Sequence, residues 1–258
     1  MLVIIALIIA GILVGQDMIS ASAVRMQIAQ IEKYNSAVHT FQSKFGAIPG
    51  DMPVATATQF GFTIGLSCNG TQGYRDGNGL VDGGPSPNIY GQPTGENGLF
   101  WVDLSAANLI DGTFTNPQNV GSCMGNVTLQ STGISGYFPT AKIGYGNYLY
   151  VLDYNGSNWF GLANIYYVTN GEFNNNATSG NIPVLQAYNM DLKTDDGIPT
   201  TGNIMSKYTP GSHSFQTGKV IPVAGGNATS CYDSTTNLYS TSFNGGSGPN
   251  CALIFRFQ

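Results

Sequence analysis

A chain of 258 residues is long enough for one or two domains with a buried core. Only 9% of it is charged, against roughly 25% in an average soluble domain, so amides and hydroxyls rather than charges solvate it. The net charge is −5 and no basic cluster occurs, which argues against a nucleic-acid partner.

The first predicted element is a long helix. From Met1 to Gly15 every residue is apolar or Gly, and the first charge is Asp17. Residues 1–45 hold no Pro, so the apolar run passes without a break into AVRMQIAQIEKYNSAVHTFQSKF. There Ile28, Ile31, Tyr34, Val38, Phe41 and Phe45 recur at steps of three and four, the spacing of one helical face. The other face carries Arg25, Gln27, Glu32, Lys33, Asn35 and Lys44. Such a helix is about 65 Å long. Gly46 and then Pro49-Gly50 end it. Residues 1–22 are expected in lipid or against other such helices. Residues 23–48 are expected to lay Ile31, Tyr34, Val38, Phe41 and Phe45 under the sheet of a globular head. Gly11 and Gly15 form G-x-x-x-G, a spacing that lets helices approach closely in lipid. A secretory signal peptide would need a basic start, a cleavage site and a polar break. SASA at 20–23 is the stretch closest to such a site, and the continuity of the helix argues against it.

The head spans residues 49–258. Residues 61–95 read as loop, rich in Gly, Asn and Pro. ENGLFWVDLSAANLIDG (96–112) reads as a helix with Leu99, Phe100, Leu104, Ala107 and Ile110 inside and Gly112 as its stop. GNYLYVLDYNGSNWFGLANIYYV carries two aromatic, β-branched runs around Asn155-Gly156, a strong hairpin signal. IPVLQAYNMDLKTDDG reads as a short helix with Pro183 at N1, and Leu185, Tyr188 and Leu192 give it a short helical face ended by Gly197. CALIFRFQ reads as a buried last strand. The expected fold class is α+β: a long N-terminal helix, apolar then amphipathic, packed on an antiparallel β-sheet head with short helices and long loops.

Four cysteines, Cys68, Cys123, Cys231 and Cys251, lie in the polar part with no CxxC and no paired His. Their even number favours two disulfides over a zinc site. Three connectivities exist. The pairing of sequence neighbours, Cys68–Cys123 and Cys231–Cys251, is favoured.

One long helix, apolar then amphipathic, ahead of a disulfide-containing β head resembles the layout of type IV pilins and type II secretion pseudopilins. The stretches GILVGQDMI, QIEKYNSAVHTFQSKFGAIPGD, LFWVDLSAANLI and AYNMDLKTDDGIPTTG also resemble a subgroup of bacterial pilin-like proteins. The resemblance implies a structural subunit rather than an enzyme. It implies a single pass of the inner membrane with the head outside the cytoplasm, then an extracellular or periplasmic filament. The implied partners are other pilin-like subunits through the helix, inner-membrane lipid, a leader peptidase and an assembly machinery. The alternative is a minor pilin or tethered binding module whose head recognises a glycan, a surface or a secreted protein. The family begins with a basic leader ending in Gly, and then a glutamate a few residues in. Aligning GILVGQD with that wording places Met1 past both, so the gene is expected to continue upstream in frame.

Other chemistry is sparse. YRDGNGLVDGG places Asp76, Asn78 and Asp82 at relative positions 1, 3 and 7 of a calcium-loop pattern. Leu80 at the fifth position and Val81 at the sixth depart from that pattern, and no Glu stands at the twelfth. The plainer reading is a solvated turn held by Asx hydrogen bonds; calcium is the one cofactor the residues suggest. Some pseudopilins bind calcium in a loop of the head, which the resemblance extends to this turn. Asp195-Asp196 ahead of Gly197 reads as a helix stop rather than an acid–base pair. His39 and His213 stand apart from any cysteine or serine motif of a nucleophile. The tyrosines and Trp159 between residues 145 and 167 read as sheet packing rather than a glycan platform.

Overall fold

The computed structural model describes residues 2–64, 75–81, 95–115, 133–165, 167–169, 172–174, 181–206 and 223–257. Helix α1 runs unbroken over Leu2–Phe45, 44 residues. It is about 66 Å long. The Gly46 N–H donates to the Gln42 carbonyl at 2.8 Å and closes the last turn. Helix α2 (Val54–Phe60) follows Pro53, and helix α3 spans Gly95–Ala106. The turn after α1 meets α3 backbone to backbone. Gly50 has φ +85°, and a Cβ added there would lie 2.4 Å from the Glu96 carbonyl oxygen, so only glycine fits. Helix α3 stops short of Gly112 because Asn108 turns the chain with φ 55°, though Ile110 still packs in the core.

Strands β1 (Asn147–Tyr154) and β2 (Ser157–Asn164) form the predicted hairpin. Asn155 and Gly156 have φ 51° and 70°, as a two-residue type I′ turn requires. A second small hairpin follows, β3 (Tyr167–Thr169) with β4 (Glu172–Asn174). Helix α4 spans Val184–Thr194, with Pro183 at its N-cap rather than inside its first turn. Then come β5 (Ile204–Met205), the ladder β6 (Tyr232–Asp233) with β7 (Leu238–Tyr239), and β8 (Leu253–Arg256). The main sheet has the order β1-β2-β8-β5 and every pair in it is antiparallel. The final strand is thus central, which is why Leu253, Ile254 and Phe255 are all buried.

Strand register decides which residues meet the helices. Val151, Phe160, Phe255 and Ile204 are cross-strand partners and share a face. On that face the Phe160 ring lies 6.5 Å from Tyr34 of α1, 6.0 Å from Phe100 and 6.1 Å from Trp101 of α3, and 4.3 Å from Phe257. Tyr34 and Trp101 meet edge to face at 5.0 Å. This aromatic knot joins rod, α3 and sheet. On the opposite face Tyr150 lies over its partner Gly161, where a Cβ would fall 2.1 Å from the ring.

The three residues of the predicted face of helix α4 divide: Tyr188 packs partly buried against the core, its ring 5.8 Å from Tyr239, while Leu185 and Leu192 face out. Val184, Ala187, Met190 and Asp191 are buried, whereas Leu185 is 41% and Leu192 is 51% exposed. Apolar residues occur on both sides of this helix, so periodicity alone does not choose. Polar partners do. Gln186 Nε2 donates to Ser20 Oγ at 2.9 Å, and Asp191 accepts from Tyr239 Oη at 2.8 Å.

Cys231 and Cys251 are fully buried and bonded, with Cα atoms 5.0 Å apart and a sequence separation of 20. The bond ties the start of the β6–β7 ladder to the segment just ahead of β8, where Cys251 bridges Ile182. Cys68 and Cys123 lie outside the described residues. Replacing Cys231 and Cys251 together by Ala should lower unfolding stability by about 3 kcal/mol in the loop-entropy account. Denaturant unfolding of the double variant checks this, and non-reducing peptide mapping should recover the Cys231–Cys251 pair.

Candidate functional site

Among the described residues, the exposed large apolar side chains concentrate on the free part of α1. From Ile4 to Ile19 its large apolar side chains are 53–72% exposed. An 18-residue window of this helix has a mean hydropathy of 1.8 and is 6% buried, which makes the helix long and apolar enough to cross a membrane. Leu7, Ile8 and Ile9 follow one another in sequence and so point about 100° apart round the axis. The exposed apolar surface therefore extends round more than one side of the helix. Gly11 and Gly15 have nothing within 4 Å of where a Cβ would stand, so the small-residue notch is open.

Packing on the head begins at Ser20. Val24, Tyr34, Ala37, Val38 and Phe41 are buried, and Ile28, Ile31 and Phe45 pack partly buried beside them. Two glutamines complete the seam. Gln27 Oε1 accepts from the Ile143 N–H at 3.0 Å; Gln30 Oε1 accepts from the Lys142 N–H at 2.9 Å, and its Nε2 donates to the Thr140 carbonyl at 3.0 Å. Gln27 is therefore buried, not on the outer polar face where the pattern placed it. The turn before β1 leaves backbone groups that need partners, and the rod supplies them. Phe41 belongs to the same core as the sheet, with Phe45 packed against it; their ring neighbours include Phe62, 5.4 Å and 5.0 Å away, and Phe60 at the end of α2, 5.2 Å from Phe45. His39 is exposed; His213 lies outside the described residues.

The turn at residues 76–80 is held by Asx hydrogen bonds, as in the plainer of its two readings. Asp76 Oδ1 accepts from the Asn78 N–H at 2.9 Å, its Oδ2 accepts from Asn78 Nδ2 at 3.0 Å, and Asn78 Oδ1 accepts from the Leu80 N–H at 2.7 Å. Asp82 lies outside the described residues. The carboxylates that gather at this turn are instead Asp51, Asp76 and Glu96, within 4.8 Å of one another. Asp51 accepts from the Asn78 and Gly79 N–H groups at 3.1 and 2.8 Å, and Glu96 accepts from the Asp76 N–H at 3.1 Å. Hard carboxylate oxygens suit calcium by type. Here they staple a turn through its N–H groups. Burial and the negative Asp76 raise the Asp51 carboxyl to about 6, against the pull of the Gly79 N–H. Sequence reading missed Asp51 and Glu96 because they stand far from the turn in sequence. Beside them Arg75 and Asp103 form a fully buried bidentate pair at 2.7 and 2.8 Å.

Asp195 and Asp196 are turn residues, as expected. Asp195 Oδ2 accepts from the Ile204 N–H at 2.8 Å, and Asp196 accepts from the Ile198 N–H at 2.8 Å and from Thr201 Oγ1 at 2.7 Å. The buried member of this cluster is Asp191, held by Tyr239 and by the Gly197 N–H at 3.0 Å. Burial raises its carboxyl to about 6, the Tyr239 and Gly197 hydrogen bonds oppose the rise, and the charges of Asp196 and Asp195 add to it. A carboxyl raised on folding makes the folded state bind more protons than the unfolded state between about pH 4 and pH 6, so its contribution to stability falls as pH rises through that window. Asp191→Asn should therefore flatten the pH dependence of the denaturation midpoint between pH 4.5 and 7. An unchanged slope would show that Asp191 is not the group titrating.

Fold and surface together define a class: an α+β head carried on one long helix whose far half is apolar and exposed. Compared with known proteins, the chain matches no protein-family model, no curated protein and no solved structure.

Proposed function

We propose that this chain is a structural subunit of a type IV pilus or secretion pseudopilus, held in the inner membrane by its N-terminal helix before assembly. One observation carries the reading. One unbroken helix is packed on the head from Ser20 onward and bare from Ile4 to Ile19, with nothing but apolar residues and glycine up to Gly15. Exposed apolar area of this extent is costly in water, and burial recovers about 25 cal/mol per Å². Lipid supplies an all-round apolar surround, and so does a bundle of identical helices. The open Gly11–Gly15 notch supports close helix approach in the second state. The head's own work is then packing, and its carboxylate clusters are structural staples.

The test is fractionation of cells that produce the full gene product. The chain should stay with membranes through alkaline carbonate washing, and it should appear in sheared surface or periplasmic filaments under immunogold labelling. Gly11→Leu should leave membrane retention intact and reduce filament incorporation. Recovery of the intact helix-bearing chain in the soluble fraction would overturn the proposal.

A further inference from the structure

Helix α4 carries an apolar stripe that the fold leaves uncovered. Leu185 and Leu192 are 41% and 51% exposed and Ile198 is 38% exposed; Tyr188 between them packs one side of its ring toward Tyr239, 5.8 Å away, and is half-buried. These residues are continuous. A Cβ at Gly197 would stand 3.2 Å from Leu192 Cδ1 and 3.6 Å from Tyr188 Cε2, and Ile198 follows directly. The carboxylates beside the stripe are engaged by the turn's own donors, Asp195 by the Ile204 N–H and Asp196 by Ile198 and Thr201. Lys193 is exposed next to Leu192.

The level of this stripe along α1 is set by one bond. Gln186 of α4 donates to Ser20. The first charge on α1 is Asp17, so the boundary between hydrocarbon and water lies near it. Ser20 is three residues further on, about 4.5 Å along the axis. That bond brings the first turn of α4 to the level of the headgroup layer, where Tyr and Leu beside a Lys are favoured. We infer that the outward face of α4, Leu185, Tyr188 and Leu192 with Ile198, is a second membrane contact that rests on the headgroup layer of the bilayer the rod crosses. The inference rests on the membrane-anchored reading of α1. Two attachments, one through the bilayer and one on its surface, fix the tilt and rotation of the head before assembly.

The experiment uses the full chain in phosphatidylcholine vesicles. Leu192→Trp is compared with Phe60→Trp, since Phe60 is 49% exposed and lies against Phe45, at the far end of α1. The native Trp101 and Trp159 are buried, 0% and 4% exposed, and their signal is subtracted using the unsubstituted chain. Lipid carrying a nitroxide high on its acyl chain should quench Trp at position 192 by about twofold or more and leave Trp at position 60 unchanged, given burial of about 5–10 Å for an interfacial helix. A chain that does not float with the vesicles overturns both the anchored reading and this contact. A chain that floats but shows equal quenching at the two positions overturns the contact alone. Emission at position 192 that shifts blue with protein-to-lipid ratio, without quenching, also overturns it and assigns the stripe to a second copy of the chain.

Discussion

Asp103→Ala should cost the head about 3–5 kcal/mol, because it strands a guanidinium inside the protein. Arg75 is fully buried with its partner. Its donors also reach the Thr63 carbonyl, at 3.0 Å from Nε and 2.6 Å from one terminal nitrogen, and the Gly50 carbonyl at 3.2 Å. Asp103 Oδ2 accepts from the Gly50 N–H as well, at 2.8 Å. The pair therefore joins the turn after the rod, the segment at Thr63 and helix α3. Arginine stays charged in proteins, so it cannot escape the penalty by losing its proton. Replacing both partners, Arg75→Met with Asp103→Leu, should be milder than Asp103→Ala alone, since no charge is then left without a partner. The buried tryptophans make the measurement direct: denaturant unfolding of the detergent-solubilised chain, followed by their fluorescence. A cost under about 1 kcal/mol for Asp103→Ala would mean that water reaches Arg75.

Phe41→Ala should cost about 3–5 kcal/mol, the range for emptying a fully packed aromatic site. Phe41 is 0% exposed, and its ring lies 4.6 Å from Phe45 and 5.4 Å from Phe62. These rings hold the last turns of α1 to the segment around α2. The alanine leaves a cavity among side chains fixed by a helix on one side and a short turn on the other, so little collapse can fill it. Phe45→Ala should cost less, because Phe45 is only half-buried. The same unfolding experiment checks both. Equal losses for the two variants would show that burial does not rank them.

By itself the sequence determines the long helix, the Asn155-Gly156 hairpin and the buried last strand. Each is written in neighbouring residues: an unbroken run without Pro, a step of three and four from Ile28 to Phe45, and a dipeptide that tolerates positive φ. The apolar character of residues 4–19 is equally local, and their exposure follows once the head begins at Ser20. Tertiary structure alone decides the rest. Gln27 and Gln30 look like solvated helix residues until the turn at 140–143 presents unpaired backbone groups to them. Helix α4 has apolar residues on two sides, and bonds from Gln186 to Ser20 and from Tyr239 to Asp191 choose which side goes in. Arg75 finds Asp103, and Asp51 finds Asp76 and Glu96, across stretches of chain that carry no shared spacing. Periodicity records which side of one element is apolar. It holds no record of which distant element arrives to meet a polar group, because that depends on where the whole chain closes.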